Sequence, residues 1–467
     1  MIVQDWLKNS ILVSRAYEFT KKTPDLNFKH CLAVAGTVSN WGLDETTITA
    51  ALLHDVVEGK PELSEQVKKS FSEEVWFLIN GVSKLGRIKY WGAEDQAENL
   101  RRMILALSQD LRVIFIKLAD RLDMMKNLKS FPPQLQRRIA LETSEIYSPL
   151  AYRLGMQNLS GELEDLAFPC IYLQEYQWLL KNVREQYKER EAYLKKVKPV
   201  VKDLLLKNNI EPLPLISRTK RYASLYKKLL RYDMDIERIY DLVALRIIVK
   251  NVADCYTALG LIHKIWPPLP GRIKDYIALP KPNGYRSLHT TVFCLDNKII
   301  EIQIRTPEMH KEAENGIAAN WLYEQQKGGK RYTERKAVFA NSRELVWVQQ
   351  LRNWQNFSTD SEEFLQSFKI DFFKDRIFVI TPKGEVIDLP AGATPIDFAY
   401  SIHSEVGNQC VSAKVNGALA SLDRELRSGD MVEILTQKNK KPSESWLSFV
   451  KTSIAKNQIK SALRKNN

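Results

Sequence analysis

The stretch Ile299 to Arg305, I-I-E-I-Q-I-R, constrains the fold most tightly. Ile300, Ile302 and Ile304 alternate with Glu301, Gln303 and Arg305. A period of two belongs to a β-strand, whose successive side chains point to opposite faces. One face must pack on an apolar core. The other carries a carboxylate, an amide and a guanidinium. An ordinary amphipathic strand has the same pattern, so the alternation predicts a half-buried sheet without assigning any chemistry.

The preceding segment, R-I-K-D-Y-I-A-L-P-K-P-N-G-Y-R-S-L-H-T-T (Arg272 to Thr291), adds chemistry. Arg272, Lys274, Lys281 and Arg286 are cations suited to phosphate oxygens, though each alone is equally a solvated surface charge. Asn283-Gly284 is a turn signal that should bring Tyr285 and His289 to an exposed site, with the tyrosine ring free to stack on a nucleobase. Upstream, Y-D-L-V-A-L-R-I-I-V (Tyr240 to Val249) reads as a strand opening on Asp241. Asp241 and Glu301 on neighbouring strands are the carboxylates that Mg²⁺ needs when triphosphate oxygens and water supply its other ligands. Arg218, Lys220, Arg221, Ser224 and Lys228 fall on or near the start of a helix, where cations and the helix dipole favour phosphate.

From about Ile216 to Tyr323 these residues closely resemble the synthetase domain of the RelA/SpoT homologue family of alarmone enzymes. The resemblance includes G-I-A-A-N-W, where Asn320 stands in place of the usual His, and Arg286 stands in place of the usual Gln. It implies pyrophosphate transfer from ATP to the 3′-hydroxyl of GDP or GTP. It makes Asp241 and Glu301 the catalytic, Mg²⁺-binding carboxylates, with Glu301 helping to deprotonate the acceptor. Arg218, Lys220, Ser224 and Lys228 match contacts to ATP. Lys281, Asn283, His289 and Gln303 match the acceptor side, and Tyr285 the residue that stacks on guanine. Arg272 and Lys274 belong to the basic R-x-K-D variant found in bifunctional members.

Residues 1–170 read as an all-helical domain. T-I-T-A-A-L-L-H-D-V-V-E (Thr47 to Glu58) is a helix carrying His54-Asp55; His30 and Asp120 lie elsewhere in periodic segments. A lone His on a helix is more often a packing residue. The combination His30, His54, Asp55, Asp120 resembles the HD phosphohydrolase pattern and the hydrolase domain of the same family. This implies Mn²⁺-dependent removal of the 3′-pyrophosphate from ppGpp, with Glu58 as a catalytic carboxylate. Several positions depart from the family. Gly59 and Lys60 replace an acid and Thr. Asp123-Met124 replace His-Asn, Lys21 replaces Arg, and Asn27 replaces an aromatic. These imply an intact metal cage within an eroded substrate shell. A working hydrolase and a metal site kept for structure or regulation both remain open.

The fold expected is multidomain α+β: an all-α HD-type domain (1–170), a helical linker (171–213), a nucleotidyltransferase-like α/β synthetase domain with a mixed sheet (214–340), a second helical linker (341–371), a small β-grasp TGS domain (372–437) and a basic start of a helical region (438–467). The linker at 171–213 is a route for coupling the two activities, as the resemblance implies. Around P-K-G, F-V-I and E-V-I-D-L form a hairpin signature, and Thr394-Pro395 an N-cap followed by a first-turn proline. In long family members the TGS domain contacts tRNA, which makes His403 and Asn408 the candidate contacts. The family's later helical, zinc-finger-like and ACT-type regions are not in this sequence.

The net charge is +13. Residues 438–467 hold eight Lys/Arg against Glu444 alone, a tail suited to a tRNA or ribosomal backbone. Five scattered cysteines, no apolar run long enough to span a membrane and no secretory signal predict a reducing cytoplasm, with neither a disulfide framework nor a zinc site. Two other functions fit less well: a hydrolase with a regulatory synthetase pocket, and a non-enzymatic tRNA- or ribosome-binding regulator.

Overall fold

The computed structural model describes residues 10–86, 102–103, 106, 109–239, 242–281, 283–318 and 376–464. Residues 10–86 with 109–318 form one compact unit, and residues 376–464 belong to another. Asp241, Asn320 and the segment holding Trp347 and Trp354 lie outside the described residues.

The first unit opens with helices α1 (Ile11–Lys22), α2 (Phe28–Asn40), α3 (Glu45–Gly59), α4 (Ser64–Ser70), α5 (Glu73–Gly86), α6 (Leu111–Lys126), α7 (Pro133–Glu142), α8 (Ser148–Arg153) and α9 (Gln157–Ile171). Their starts are set by side-chain caps. Ser10, Asn27, Asp44 and Asp110 accept from the first-turn amides of α1, α2, α3 and α6. Helix α6 is the centre of this half, and every residue from Leu111 to Leu122 is buried. A helix buried on all sides must pair its charges. Arg112 meets Asp44 and Asp110, Lys117 meets Asp120, and Arg121 meets Glu142.

Helix α10 (Leu173–Lys207) then runs for 35 residues. Its buried stripe of Leu179, Val183, Tyr187, Leu194, Val197, Val201 and Leu205 follows steps of three, four or seven residues, which keep one helix face, and packs into the core of the following sheet. It is therefore structural support for the sheet as well as a bridge. The sheet holds β1 (Ile216–Thr219), β2 (Val243–Ile248), β3 (Lys274–Asp275), β4 (Leu288–Phe293) and β5 (Ile299–Arg305) in the order β1-β2-β5-β4-β3. Strands β2 and β5 are parallel and the other pairs antiparallel, giving the expected mixed sheet. The parallel pair is made possible by the crossover through α11 (Val252–Ile265). Ile300, Ile302 and Ile304 enter the core, so Glu301, Gln303 and Arg305 share the opposite face.

The helical half and the sheet half meet directly. Ile317 N–H donates to the Leu154 carbonyl at 2.9 Å. Gly316 has φ +59°, and a Cβ there would lie 2.2 Å from that same carbonyl, so both backbone conformation and space demand glycine.

In the second unit β6 (Arg376–Ile380) and β7 (Val386–Pro390) form the expected hairpin. Strands β8 (Cys410–Val415), β9 (Ala418–Ala420) and β10 (Val432–Thr436) form a three-stranded sheet, linked to the hairpin by a parallel bridge between Ile380 and Met431. Helix α12 (Pro395–Ile402) starts with a full capping box between Thr394 and Asp397. The fully buried Asp397 also accepts from the Lys451 and Thr452 amides, tying the start of the last helix to this core. No helix among the described residues is long and apolar enough to cross a membrane.

Candidate functional site

The helical half brings together His30, His54 and Asp120, whose ligand atoms lie within 4.8 Å of one another. His30 sits in the first turn of α2, His54 near the end of α3, and Asp120 on α6. His54 is fixed through one nitrogen, and His30 meets a carboxylate at each of its two. His54 Nδ1 is 2.7 Å from the Ala51 carbonyl, so it carries the proton and leaves the Nε2 lone pair available. His30 Nδ1 is 2.6 Å from Asp123 Oδ2, and its Nε2 faces Asp120 Oδ1 at 3.3 Å. The other Asp120 oxygen accepts from Lys117 Nζ at 2.7 Å. Burial opposes ionisation of Asp120, but Lys117 and the imidazoles hold its carboxyl well below the usual range. Burial likewise opposes a charge on His30, yet Asp120, Asp123 and Asp55 outweigh it and push the ring up to about 10.

This donor set suits a divalent ion: two imidazoles with a nitrogen directed inward and a carboxylate kept ionised. Asp55 is half-buried and acts on the same ring electrostatically, but it is not among the three converging ligands. Glu58 feels Lys117, Asp120, His54 and Asp55, and burial raises its carboxyl above the usual value. Gly59 has open space where a side chain would stand, so packing does not impose the departure there.

On the sheet, Glu301 Oε1 accepts from Gln303 Nε2 at 2.8 Å and lies 3.2 Å from His289 Nδ1. Tyr285 Oη is 2.7 Å from His289 Nε2. Burial favours the neutral imidazole, although Glu301 pulls the other way. A neutral ring satisfies both contacts when Tyr285 donates to Nε2 and Nδ1–H donates to Glu301. Lys281 Nζ lies 4.8 Å from the Tyr276 ring centre and 5.2 Å from that of Tyr285. Burial and the charges of Lys274 and Arg218 bring it down to about 8. Arg246 stands beside Gln303 in the β2–β5 register, and Arg218 lies two positions along on β1, paired with Ala244. A carboxylate therefore lies among several cations and an aromatic ring.

The HD-domain family matches residues 10–157, the family described as a region found in RelA/SpoT proteins matches 217–328, and the TGS-domain family matches 377–436. A guanosine-3′,5′-bis(diphosphate) 3′-pyrophosphohydrolase of Aquifex aeolicus is 46% identical over 462 residues, 97% of this chain and 64% of that protein. The chain belongs to the RelA/SpoT family. A GTP pyrophosphokinase of Myxococcus xanthus is 42% identical, covering 97% of this chain and 60% of that protein. A bifunctional (p)ppGpp synthase/hydrolase RelA of Mycobacterium tuberculosis is 41% identical, covering 96% and 62%. The chain thus spans less than two thirds of the length of these relatives. The HD and pyrophosphokinase families use divalent metal ions.

Three expectations drawn from the RelA/SpoT pattern and the residues around it need correction. Tyr285 is not exposed: the Asn283-Gly284 turn forms, with Gly284 at φ +77°, but folds the ring edge-on against Tyr276 and His289, leaving it 4% exposed. The start of the helix Tyr222–Leu229 does not offer a free positive end, because the Ala223 amide donates to Asp165 Oδ1 at 2.9 Å. Arg286 is held by Glu312 at 2.7 Å and does not line the cluster.

The remaining candidates are spread more widely. Arg218 on β1 is exposed at the rim, while Ser224 and Lys228 lie on the Tyr222–Leu229 helix with Lys220 just before it. Arg272 and Lys274 are exposed, with Lys274 opposite His289 in register. Asn283 Nδ2 reaches the Tyr152 carbonyl at 3.4 Å. Asp241 lies outside the described residues. In the TGS unit His403 is exposed but caps the helix Ser404–Asn408, and Asn408 accepts from Tyr400 Oη at 2.9 Å. Sequence reasoning missed Asp123, Lys117 and Arg246. Lys117 and Asp120 are three residues apart on a helix, a spacing that marks a pair; nothing in the sequence marks Asp123 as a partner of His30.

Proposed function

We propose that the chain transfers pyrophosphate from ATP to the 3′-hydroxyl of GDP or GTP at the sheet site, with Mg²⁺. At the helical site, with Mn²⁺, it removes the 3′-pyrophosphate of ppGpp. The observation that supports this most is Glu301, a carboxylate oriented by Gln303 and His289 and acting on Lys281, with Arg246 opposite Gln303 on the neighbouring strand. Phosphoryl chemistry needs placement and charge neutralisation more than a covalent partner.

In transfer, Glu301 takes the proton of the acceptor 3′-hydroxyl as its oxygen bonds to the β-phosphorus of ATP. The bond to the α–β bridging oxygen breaks and AMP leaves. Tyr285 stacks on the guanine after its ring turns out from Tyr276. Arg218, Lys220, Ser224 and Lys228 hold ATP, while Arg272, Lys274, Lys281 and Asn283 hold the acceptor. Mg²⁺ on Asp241 and Glu301, when bound, supplies further neutralisation of the triphosphate. In hydrolysis water attacks the 3′-linked phosphorus, the bond to guanosine O3′ breaks, O3′ takes up a proton, and GDP and pyrophosphate leave. His30, His54, Asp55 and Asp120 would hold Mn²⁺, which lowers the pKa of water. Glu58, whose carboxyl burial raises above its usual value, exchanges the proton. The TGS unit and basic tail contact tRNA or the ribosome, with His403 and Asn408 at that surface, and the protein works in the cytoplasm.

The test is two incubations of the purified chain: ATP with GDP and Mg²⁺, following AMP release, and ppGpp with Mn²⁺, following GDP release. Turnover in both is expected. Hydrolysis without transfer would mean a degradative enzyme with a regulatory nucleotide pocket; no turnover with tRNA binding intact would mean an RNA-binding regulator.

Asp123→Ala is expected to weaken Mn²⁺ binding about 10- to 100-fold, because the partner that directs His30 Nδ1 is gone. Asp123→Asn, which still accepts from Nδ1–H, should lose less. Titration of free Mn²⁺ by electron paramagnetic resonance reads this without any turnover; equal affinity in wild type and Asp123→Ala would remove Asp123 from the site.

A further inference from the structure

Arg305 is the largest fully buried side chain in the described residues, at 0% exposure. Its Nε, Nη1 and Nη2 have no hydrogen-bond partner among them. A buried guanidinium without a partner is costly, and such a group calls for a ligand. Arg305 stands on the same face of β5 as Glu301 and Gln303, at the end nearer Tyr285, whose ring centre is 5.7 Å from its Cζ. Two more polar atoms of this face are buried and unpaired: Arg246 Nε and Gln303 Oε1. This face of the sheet thus offers several donors for an anion and one acceptor for a hydroxyl or amine.

Charge supports the same conclusion. Burial, together with Arg246 and Arg218, pulls the Arg305 guanidinium down to about 10, and burial with Arg218 lowers Arg246. Glu314 contacts Arg246 at 3.0 Å but makes no ion pair with Arg305. Among the described residues no carboxylate is hydrogen-bonded to the Arg305 guanidinium.

We propose that Arg305, assisted by Arg246, is the seat for the 5′-phosphate groups of the acceptor nucleotide, bound while its base stacks on Tyr285. This deepens the transfer reading and rests on it for the identity of the base. The guanidinium presents its donors to phosphate oxygens, which matches the planar fork of arginine better than a point charge would. The Tyr285 ring, packed over Arg305 in the structure, turns outward as the nucleotide enters, so the aromatic and ionic contacts are made together.

The test compares binding of GDP and guanosine to the full chain by calorimetry, in wild type, Arg305→Gln and Arg305→Met, with AMP release followed in parallel. Wild type should bind GDP about 10- to 100-fold more tightly than guanosine. Arg305→Gln should lose most of that difference and leave guanosine affinity within about twofold. Arg305→Met should melt at a higher temperature than wild type while binding GDP poorly, since it removes an unpaired buried charge. A purely structural arginine would instead lower the melting temperature. GDP affinity unchanged in Arg305→Gln, equal loss for GDP and guanosine, or a wild type that binds both alike would each overturn the assignment. A wild type that binds GDP through Arg305 yet releases no AMP keeps the anion seat and overturns transfer. AMP release unaffected by Arg305→Gln does the reverse.

Discussion

Glu301→Gln is expected to lower pyrophosphate transfer about 1000-fold or more, the scale on which removal of one charged group from a phosphoryl-transfer site acts. The substitution is nearly isosteric. A glutamine can still accept from Gln303 and from His289, so the chain from Tyr285 through His289 to position 301 is kept. What is lost is the negative charge. An amide neither holds Mg²⁺ well nor takes a proton from a hydroxyl. The defect should therefore fall on kcat, with the KM for ATP changed only a few-fold and the melting temperature near wild type. Hydrolysis of ppGpp should be untouched, because the His30 cluster is carried by α2, α3 and α6 and Glu301 by β5. The measurement is the steady-state release of AMP from ATP with saturating GDP. Activity within tenfold of wild type would refute Glu301 as the central carboxylate and move the role to Asp241 alone.

The features that were legible in the sequence are local ones. The alternation in Ile299 to Arg305 places three isoleucines in the core and three polar groups on the opposite face because the period of a strand is two; that Gln303 and Arg305 are buried there as well is not legible from the period. The Thr394-Pro395 start forms a full capping box because its partners lie three residues apart. Of the four residues in the metal pattern, His30, His54 and Asp120 converge, and Asp55 does not join them. The hidden features are tertiary pairings. His30 and Asp123 are 93 residues apart, and Ala223 and Asp165 are 58 apart; no periodicity reports such contacts. The same separation explains the misread helix start, which looked free until a carboxylate from another helix filled it. Tyr285 was misjudged for a related reason. A turn signal predicts chain reversal, but whether the next ring faces water depends on what stands beneath it, here Tyr276 and His289. Coupling between the two halves was expected through the long helix. The direct bond between Ile317 and Leu154, and the contact of Asn283 with Tyr152, provide a shorter connection beside the acceptor loop.

His54→Ala should abolish Mn²⁺-dependent release of GDP from ppGpp and leave transfer within about twofold of wild type, the selectivity that makes the two sites separable. His54 is 2% exposed and makes one hydrogen bond, to the Ala51 carbonyl one turn back in its own helix. Its ring stands 5.4 Å from that of His30. Alanine leaves a small cavity while the Ala51 carbonyl keeps its place in the helical ladder, an effect of about 1–3 kcal/mol on stability that a helical half this well buried should tolerate. The larger effect is on the metal. With one imidazole gone, the inward set falls to His30 and Asp120, with Asp55 to one side, and Mn²⁺ affinity should drop on the order of 100-fold or more, beyond what loss of an outer partner causes. This gives a readout independent of turnover. Mn²⁺ at about 100 times its dissociation constant stabilises a folded protein by about 2.7 kcal/mol. Wild type should therefore melt at a visibly higher temperature with Mn²⁺ than with chelator, whereas His54→Ala should show little difference. If the variant keeps both the thermal shift and the hydrolysis, the ion is held elsewhere. If the shift disappears but wild type itself never hydrolyses ppGpp, the cage is a metal site without hydrolytic work, and the departures at Gly59, Lys60 and Met124 become the positions to restore.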